Sequence, residues 1–160
     1  MTDPSRVRFA AIAVGTTSFG LLAAAFAFQY LGGLVPCPLC LVQRWTHVAV
    51  LLACAGALAR PGRVTLTLGL LASFAAIGTA GFHAGVEQGW WEGLASCSGA
   101  AENMSGMSGA DLLSTAAPAP IIKCSEIAWS RMGLSMAGWN AVVSALAAVA
   151  WIKAPALRRR

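Results

Sequence analysis

Four long stretches of apolar residues dominate the pattern along the chain. They cover residues 9–31, 41–59, 64–84 and 134–152, and Arg44 is the only Asp, Glu, Lys or Arg within them. As an α-helix the first stretch is about 35 Å long at ~1.5 Å per residue, which crosses a bilayer core of about 30 Å with some tilt. The pattern therefore predicts an all-α membrane protein with a four-transmembrane-helix bundle.

Two positive charges raise an alternative for the first stretch. Arg6 and Arg8 precede it, as cations precede the apolar core of a cleaved signal peptide. Such cores have only about 7–15 residues, whereas this stretch has 23. Its length favours a spanning helix that stays in the protein.

Composition narrows the class of protein further. Of the 160 residues, 58% are hydrophobic and 11% are charged, against about 25% charged in ordinary soluble domains, and the mean hydropathy is +0.69. These values exclude a disordered chain and disfavour a soluble fold. Because four spans use most of a chain of this length, we expect one membrane domain over residues 1–160.

The distribution of charge predicts the orientation in the membrane. The net charge is +5, and eight of the eleven Lys and Arg residues lie at the chain ends or in the turn at 60–63, whereas five of the six acidic residues lie at 85–133. The positive-inside rule then places both termini in the cytoplasm and the two loops, at 32–40 and 85–133, on the opposite side. Since the cations mark topology, nucleic acid is not an expected partner.

The long loop is rich in Gly, Ser, Ala and Pro, particularly at residues 104–109. We expect this loop to be mobile and to receive soluble partners, with a short interfacial helix at residues 111–117. Trp90, Trp91 and Trp129 lie near predicted span ends and are interpreted as anchors in the headgroup layer.

The cysteines divide into a loop set and a single buried residue. Cys37, Cys40, Cys97 and Cys124 lie in the two loops on one side of the membrane, and Cys54 lies within the second stretch. Cys54 is about 21 Å along a helix from Cys40, too far for a disulfide whose Cα atoms lie within about 7 Å. It is interpreted as a small apolar core residue. The other four allow three disulfide connectivities.

The Cys37-Pro38-Leu39-Cys40 motif has the spacing of thiol-exchange proteins and of half a zinc site. Pro38 suits the first helical position and steers the preceding residue out of helical conformation, so Cys37 is predicted as the N-cap and Cys40 as the third helical residue. Backbone N–H groups and the helix dipole there stabilise thiolate, the reactive form. A four-cysteine zinc site is disfavoured because Cys97 and Cys124 do not form a second CxxC, and no metal ligand is assigned.

Arg44 and His47 follow Cys40 along one face of the second predicted helix. One interpretation of Arg44 is a side chain that extends to the lipid headgroups. The other is a cation that holds a thiolate or the carbonyl oxygens of a bound acceptor in a site of low dielectric constant. His47 is interpreted as a packed or hydrogen-bonded helix residue unless it contributes to that site.

Several further motifs occur together along the chain. They are Gln29, Pro36-Cys37-Pro38-Leu39-Cys40, Arg44, His83-Ala-Gly-Val-Glu87-Gln-Gly-Trp-Trp91, the Cys97 and Cys124 pair, and Gly133-Leu-Ser-Met-Ala-Gly-Trp139-Asn140. In this combination the chain resembles the DsbB family, bacterial inner-membrane quinone reductases that reoxidise the periplasmic thiol oxidase DsbA. The resemblance implies a protein-disulfide:quinone oxidoreductase with periplasmic loops. The implied partners are a DsbA-like thioredoxin-fold protein and a membrane quinone, either ubiquinone or menaquinone.

The resemblance also implies roles for the four loop cysteines. Cys97 would be attacked by the thiolate of the reduced partner, and Cys124 would be its bridge partner. Cys37 would then exchange with the Cys124 side of that pair. Cys40 would remain as the thiolate that contacts the quinone.

Arg44 would hold the quinone and stabilise that thiolate, as the resemblance implies. His47, His83 and Glu87 are further candidates for the quinone site. For His83 and Glu87 the alternative is a hydrogen-bonded pair with a structural role only.

Redox potentials independently favour an external oxidant. The reduction potentials of strong thiol oxidases are near −120 mV, and those of structural disulfides are below about −300 mV. This difference corresponds to about 8 kcal/mol for the transfer of two electrons. A lipid-soluble two-electron acceptor can bridge this gap, and the chain has no Gly-rich nucleotide-binding turn for a flavin or nicotinamide.

Two alternatives remain open. A reductase of the vitamin K epoxide reductase type also combines a helix bundle, a CxxC and a quinone, but it places its CxxC after the loop pair, whereas here the CxxC comes first. A non-enzymatic membrane protein with two structural disulfides would instead be inert to dithiols and to quinones.

Overall fold

The computed structural model describes residues 3–94, 97 and 123–156, with side chains to residue 154. The helices are α1 (Pro4–Tyr30), α2 (Pro38–Ala59), α3 (Arg63–Glu87) and α4 (Met136–Ala156). A short hairpin, β1 (Ser130–Arg131) and β2 (Leu134–Ser135), precedes α4. All four helices are long and apolar enough to cross a membrane, which confirms the predicted all-α, four-span class.

The helices form a closed bundle in which each packs against two neighbours. Helix α1 contacts α2 and α4, and α3 contacts α2 and α4. Only residues 60–62 separate α2 from α3, so these two helices are antiparallel. The Thr65 side chain closes this turn by accepting a hydrogen bond from the Gly62 backbone N–H at 3.1 Å.

Small side chains line the inner faces of the bundle. Buried alanines such as Ala10, Ala57 and Ala76 belong to the same apolar cluster as Trp151, which is the largest fully buried side chain among the described residues. Gly69 leaves room for that ring, because a Cβ there would lie 2.7 Å from two ring atoms. Large apolar side chains face outward instead, as expected where lipid surrounds the helices and small residues allow close approach between them.

The hairpin before α4 depends on two residues with positive φ angles at its turn. Met132 and Gly133 have φ angles of 55° and 79°, the left-handed conformation that a two-residue hairpin turn requires at both central positions. Ser130 pairs with Ser135, and Arg131 with Leu134. The apolar stretch predicted from residue 134 therefore begins with two strand residues, and its helix begins at Met136. The predicted helix at 111–117 and the Gly-rich segment at 104–109 lie outside the described residues.

Candidate functional site

The two cysteine pairs lie in one buried cluster. A disulfide joins Cys97 to Cys124, with Cα atoms 5.1 Å apart. Cys37 and Cys40 are free thiols whose sulfurs lie 2.9 Å apart. Cys37, Cys97 and Cys124 are packed together with Leu39 and Val86, and Cys40 contacts the same cluster. The structure thus selects, among the connectivities left open by the sequence, the one with Cys97 bonded to Cys124.

The start of α2 positions the inner pair. Cys37 is the N-cap and Pro38 the first helical residue, which confirms the prediction from the motif. The Cys40 backbone N–H donates to Cys37 Sγ at 3.3 Å, and the Cys37 thiol donates to Cys40 Sγ. This thiol hydrogen bond, together with burial, raises the pKa of Cys37 above its ordinary value. Cys37 therefore keeps its proton while Cys40 accepts from it.

The chain after α3 folds back to bring the outer pair to this place. Gly89 has a φ of 70° and turns the backbone, so that Trp91 stacks on Phe82 with ring centroids 5.8 Å apart. The Trp91 indole N–H donates to the Phe82 carbonyl at 2.9 Å, and the ring lies where any side chain at Gly85 would be. Trp91 thus fixes the start of the loop that carries Cys97.

His83 connects the inner pair to a network of buried side chains. Its Nε2 lies 3.6 Å from Cys37 Sγ and 3.9 Å from Glu87 Oε1. The Gln43 amide N–H donates to His83 Nδ1 at 2.8 Å. With the Gln43 amide in this orientation, Nδ1 accepts this hydrogen bond, and the ring proton of neutral His83 is on Nε2, facing Cys37 and Glu87.

The network continues to the fourth helix. Asn140 donates from Nδ2 to Gln43 Oε1 at 2.7 Å, which fixes the orientation of the Gln43 amide. Asn140 Oδ1 accepts from His47 Nε2 at 2.8 Å and from the Ser144 hydroxyl at 3.1 Å. His47 therefore has the hydrogen-bonded role that its sequence position indicates.

Gln43, Ser135 and Asn140 belong to the site but have no role assigned from the sequence, although Ser135 and Asn140 lie in the motif at 133–140. The sequence does contain a signal for the two amide residues, because a polar side chain within a membrane span raises the free energy of insertion. Such residues usually mark functional sites or helix–helix contacts. Gln43 lies next to Arg44 in the stretch at 41–59, and Asn140 lies in the stretch at 134–152.

Glu87 is held by the hairpin that precedes α4. The Ser135 hydroxyl donates to Glu87 Oε2, and Ser135 Oγ also accepts from the Gly138 backbone N–H at 3.1 Å. The side chains of His83 and Glu87 are each only 5% exposed. Glu87 and His83 therefore form a buried pair beside Cys37.

Arg44 is attached to α1 rather than extended along the bundle surface. Its guanidinium donates to Gln29 Oε1 and to the Ala25 carbonyl at 3.2 Å, and it lies 4.7 Å from the centre of the Phe26 ring. These contacts favour the second interpretation of Arg44, a cation held at a binding site.

A cavity of about 290 Å³ opens beside the inner pair. Residues from all four helices and from the segment at 123–131 line it, and most of its surface is apolar. Trp129, predicted as a membrane anchor, lines the cavity and packs against Phe28 with ring centroids 5.9 Å apart. The polar side chains in its wall include Cys37, Cys40, Gln43, Arg44, His47, His83, Glu87 and Asn140, and the charged side chains of Lys123, Glu126 and Arg131. The cavity therefore combines apolar walls with a few fixed polar groups, as small-molecule sites do.

Comparison with known proteins identifies the family. The family model described as "Disulfide bond formation protein DsbB" matches residues 7–154. The chain belongs to the DsbB family. It is therefore a multi-pass membrane protein of disulfide bond formation, with a disulfide oxidoreductase role.

Two curated DsbB relatives resemble the chain over most of its length, and a third matches less than half of it. "Disulfide bond formation protein B" of Albidiferax ferrireducens is 35% identical over 143 residues, covering 83% of this chain and 78% of that protein. The protein of the same name from Aromatoleum aromaticum is 32% identical over 149 residues, covering 87% and 83%. The one from Herminiimonas arsenicoxydans is 39% identical over 74 residues, 44% of this chain and 47% of that protein. No solved structure matches the chain.

Proposed function

We propose that this DsbB-family chain reoxidises a DsbA-like, thioredoxin-fold dithiol protein in the periplasm and passes the electrons to a membrane quinone. One observation carries the proposal. A disulfide and a dithiol lie in the same buried cluster, and the dithiol lines a largely apolar cavity. Such an arrangement offers a path for electrons from the surface to a lipid-soluble acceptor.

The first step takes place at the outer pair. A thiolate of the reduced partner attacks Cys97 Sγ, the Cys97–Cys124 bond breaks, and Cys124 leaves as a thiolate. The second thiol of the partner then attacks the mixed disulfide and releases an oxidised partner and a Cys97 thiol. Both residues are buried, and Cys97, at 5% exposed, is the less enclosed of the two because Cys124 is fully buried.

The second step moves the electron pair inward. A Cys124 thiolate attacks Cys37 of an oxidised Cys37–Cys40 pair, and Cys40 leaves as a thiolate. Cys97 then attacks Cys124 and restores the outer disulfide, leaving Cys37 and Cys40 reduced. An outer disulfide with an inner dithiol is the arrangement of this structure.

The residues around the cavity fit a quinone headgroup. Apolar side chains such as Phe28 and Trp129 provide flat surfaces, and Arg44 provides N–H donors suited to a carbonyl oxygen. When bound, ubiquinone or menaquinone supplies a two-electron, two-proton acceptor. Arg44 orients it, Cys40 provides the electron-rich sulfur, and the apolar walls exclude water.

The same proposal places the protein in the bacterial inner membrane. The cations at both ends and at 60–63 keep these segments in the cytoplasm. All four reactive cysteines then lie at the periplasmic side, where disulfides persist.

Quinone reduction with purified protein tests the proposal. The protein in detergent is mixed under anaerobic conditions with a reduced thioredoxin-fold dithiol partner and a short-chain ubiquinone or menaquinone, and the quinone absorbance is followed. We expect catalytic loss of the quinone band, and no loss with the variant Cys40→Ser. Absence of turnover with both quinones would overturn the proposal and favour two structural disulfides instead.

A further inference from the structure

Three potential metal ligands from two helices converge at the inner cysteine pair. Cys37 Sγ and Cys40 Sγ, from the start of α2, and His83 Nε2, from the end of α3, all lie within 4.8 Å of one another. Cys37 and His83 are buried, and Cys40 is half-buried. Two thiols and an imidazole are a ligand set that zinc sites use.

One of the distances between these atoms already matches a tetrahedral zinc site. Bonds of about 2.3 Å to sulfur and 2.0–2.1 Å to nitrogen place a sulfur and a nitrogen ligand about 3.6 Å apart, and two sulfur ligands about 3.8 Å apart. Cys37 Sγ and His83 Nε2 are already 3.6 Å apart. The two sulfurs are 2.9 Å apart. Rotation of the half-buried Cys40 side chain would separate them to about 3.8 Å.

The surroundings also suit a bound cation. A metal-bound His83 would carry its proton on Nδ1, 2.8 Å from the Gln43 amide. The Gln43 amide would then turn over to accept with its oxygen, and the Asn140 amide would turn with it so that the two side chains stay hydrogen-bonded. Such a hydrogen bond from the second ring nitrogen is usual for zinc-bound histidines. Glu87 Oε1 lies 3.9 Å from His83 Nε2, where it can accept a hydrogen bond from a water molecule bound to the metal.

We propose that the reduced Cys37–Cys40 pair and His83 form a Zn²⁺ site, with a water molecule at the fourth position. Binding replaces the thiol protons, which pass to solvent, and transfers no electrons. Two thiolates, a neutral imidazole and Zn²⁺ have no net charge, which suits a buried position. Since both sulfurs are ligands, the metal holds the pair reduced, and the Cys37–Cys40 disulfide form has no thiolates to bind it.

A titration with cobalt tests the site directly. The variant Cys97→Ser/Cys124→Ser removes the other reducible pair, and it is reduced and titrated with Co²⁺ in detergent without oxygen. We expect one Co²⁺ per chain, with the absorption of a tetrahedral thiolate complex, displaced by one Zn²⁺. Oxidation of the pair with diamide should abolish binding. Failure to saturate at one ion, or equal binding by the oxidised protein, would overturn the proposal.

The contribution of His83 distinguishes this site from an ordinary dithiol chelate. We expect His83→Ala to weaken Zn²⁺ binding at least tenfold, and Cys54→Ala, which removes a thiol elsewhere in α2, to leave it unchanged. X-ray absorption of the zinc-loaded variant Cys97→Ser/Cys124→Ser, with His83 intact, should show two sulfur ligands and an imidazole. Unchanged affinity in His83→Ala, or a spectrum without imidazole, would overturn the assignment.

These measurements do not depend on quinone turnover. The inference rests on Cys37, Cys40 and His83 alone, so zinc binding and electron transfer can each fail without the other. Where both hold, Zn²⁺ should slow oxidation of the inner pair, and a chelator should restore it.

Discussion

Arg44 is the only Asp, Glu, Lys or Arg within the four apolar stretches. Its contacts show how the structure accommodates a guanidinium there. The guanidinium donates to Gln29 and to the Ala25 carbonyl and lies over Phe26, so α1 supplies partners for most of its surface. It still lines the cavity. Arg44 is therefore oriented before any ligand binds, which reduces the entropy lost on binding.

We expect Arg44→Ala to raise the KM for the quinone more than it lowers kcat. A hydrogen bond to a charged donor contributes about 1.5–3 kcal/mol, so the expected increase is about 10- to 100-fold. Steady-state kinetics at several quinone concentrations measure the effect. Cys54→Ala serves as the control in the same helix and should leave both constants within about twofold, since it removes a buried thiol far from the cavity. An unchanged KM in Arg44→Ala would exclude the binding role of the cation.

Asn140 acts on the inner cysteine pair through two other side chains. It orients the Gln43 amide, which in turn keeps the ring proton of His83 on Nε2, beside Cys37. A residue that acts in this way should affect the rate of thiol exchange rather than partner binding. Asn140 is thus assigned as a positioning residue.

Replacement of Asn140 by Ala should lower kcat about tenfold, equivalent to a hydrogen bond of about 1.4 kcal/mol, and leave the KM for the dithiol partner unchanged. Ser144→Ala is the matched control, because it removes only one hydrogen bond to the same Asn140 oxygen and does not touch Gln43. Kinetics and thermal unfolding in detergent are measured for both variants. Equal losses of kcat in the two variants would mean that the hydrogen bonds from Asn140 through Gln43 do not orient His83.

At the scale of the helices, packing depends on which small residues face inward. Gly69 and Gly78 both lie in α3, but only Gly69 faces the ring of Trp151. A Cβ at Gly69 would lie 2.7 Å from the ring, whereas a Cβ at Gly78 would meet no atom within 4 Å. The two glycines therefore allow the same substitution to be compared at a packed and an open position.

Gly69→Ala should lower the free energy of unfolding by about 1–3 kcal/mol, because the added methyl group displaces the buried Trp151 ring. Gly78→Ala should be neutral or stabilising, since alanine is the better helix former by about 1 kcal/mol. Denaturation in mixed detergent, followed by loss of helical circular dichroism, compares the two. Similar losses at both positions would contradict the packing of α3 against α4.

The apolar pattern predicts the helices well but not their contacts. Length and hydropathy suffice to predict spans, because a membrane helix must satisfy its backbone internally over a fixed thickness. The spans are apolar on nearly every side, so periodicity does not indicate which face of each helix points inward. The contact between Gln43 and Asn140, 97 residues apart, depends on the rotation of two helices and is not present in either stretch alone.

The same limit applies to the cysteine site. The helix N-terminus at Pro38 follows from local backbone rules, so the N-cap position of Cys37 is predictable. The approach of His83 to Cys37, and of Glu87 to Ser135, requires the fold of α3 and of the hairpin at 130–135. The roles of these residues remain predictions for kinetics to test.

At the scale of the whole molecule, the distribution of charge and the position of the cysteines support one orientation. The turn between α2 and α3 carries Arg60 and Arg63, whereas both cysteine pairs lie at the opposite end of these helices. Cations are retained on the cytoplasmic side during insertion. Under the proposed function, this orientation would place both cysteine pairs in the oxidising periplasm, on the side from which a dithiol partner would reach Cys97.

Labelling of single exposed cysteines tests this orientation. Ala59 ends α2 and Gln88 follows α3, and both positions are exposed at opposite ends of the antiparallel pair. In spheroplasts, a membrane-impermeant maleimide should label Gln88→Cys, and it should label Ala59→Cys only after lysis. The unsubstituted protein corrects for labelling of its own thiols, which are largely buried. Labelling of Ala59→Cys in intact spheroplasts would show that the topology is the reverse of the one proposed. The cysteine pairs would then lie in the reducing cytoplasm, where they could not reoxidise a periplasmic partner.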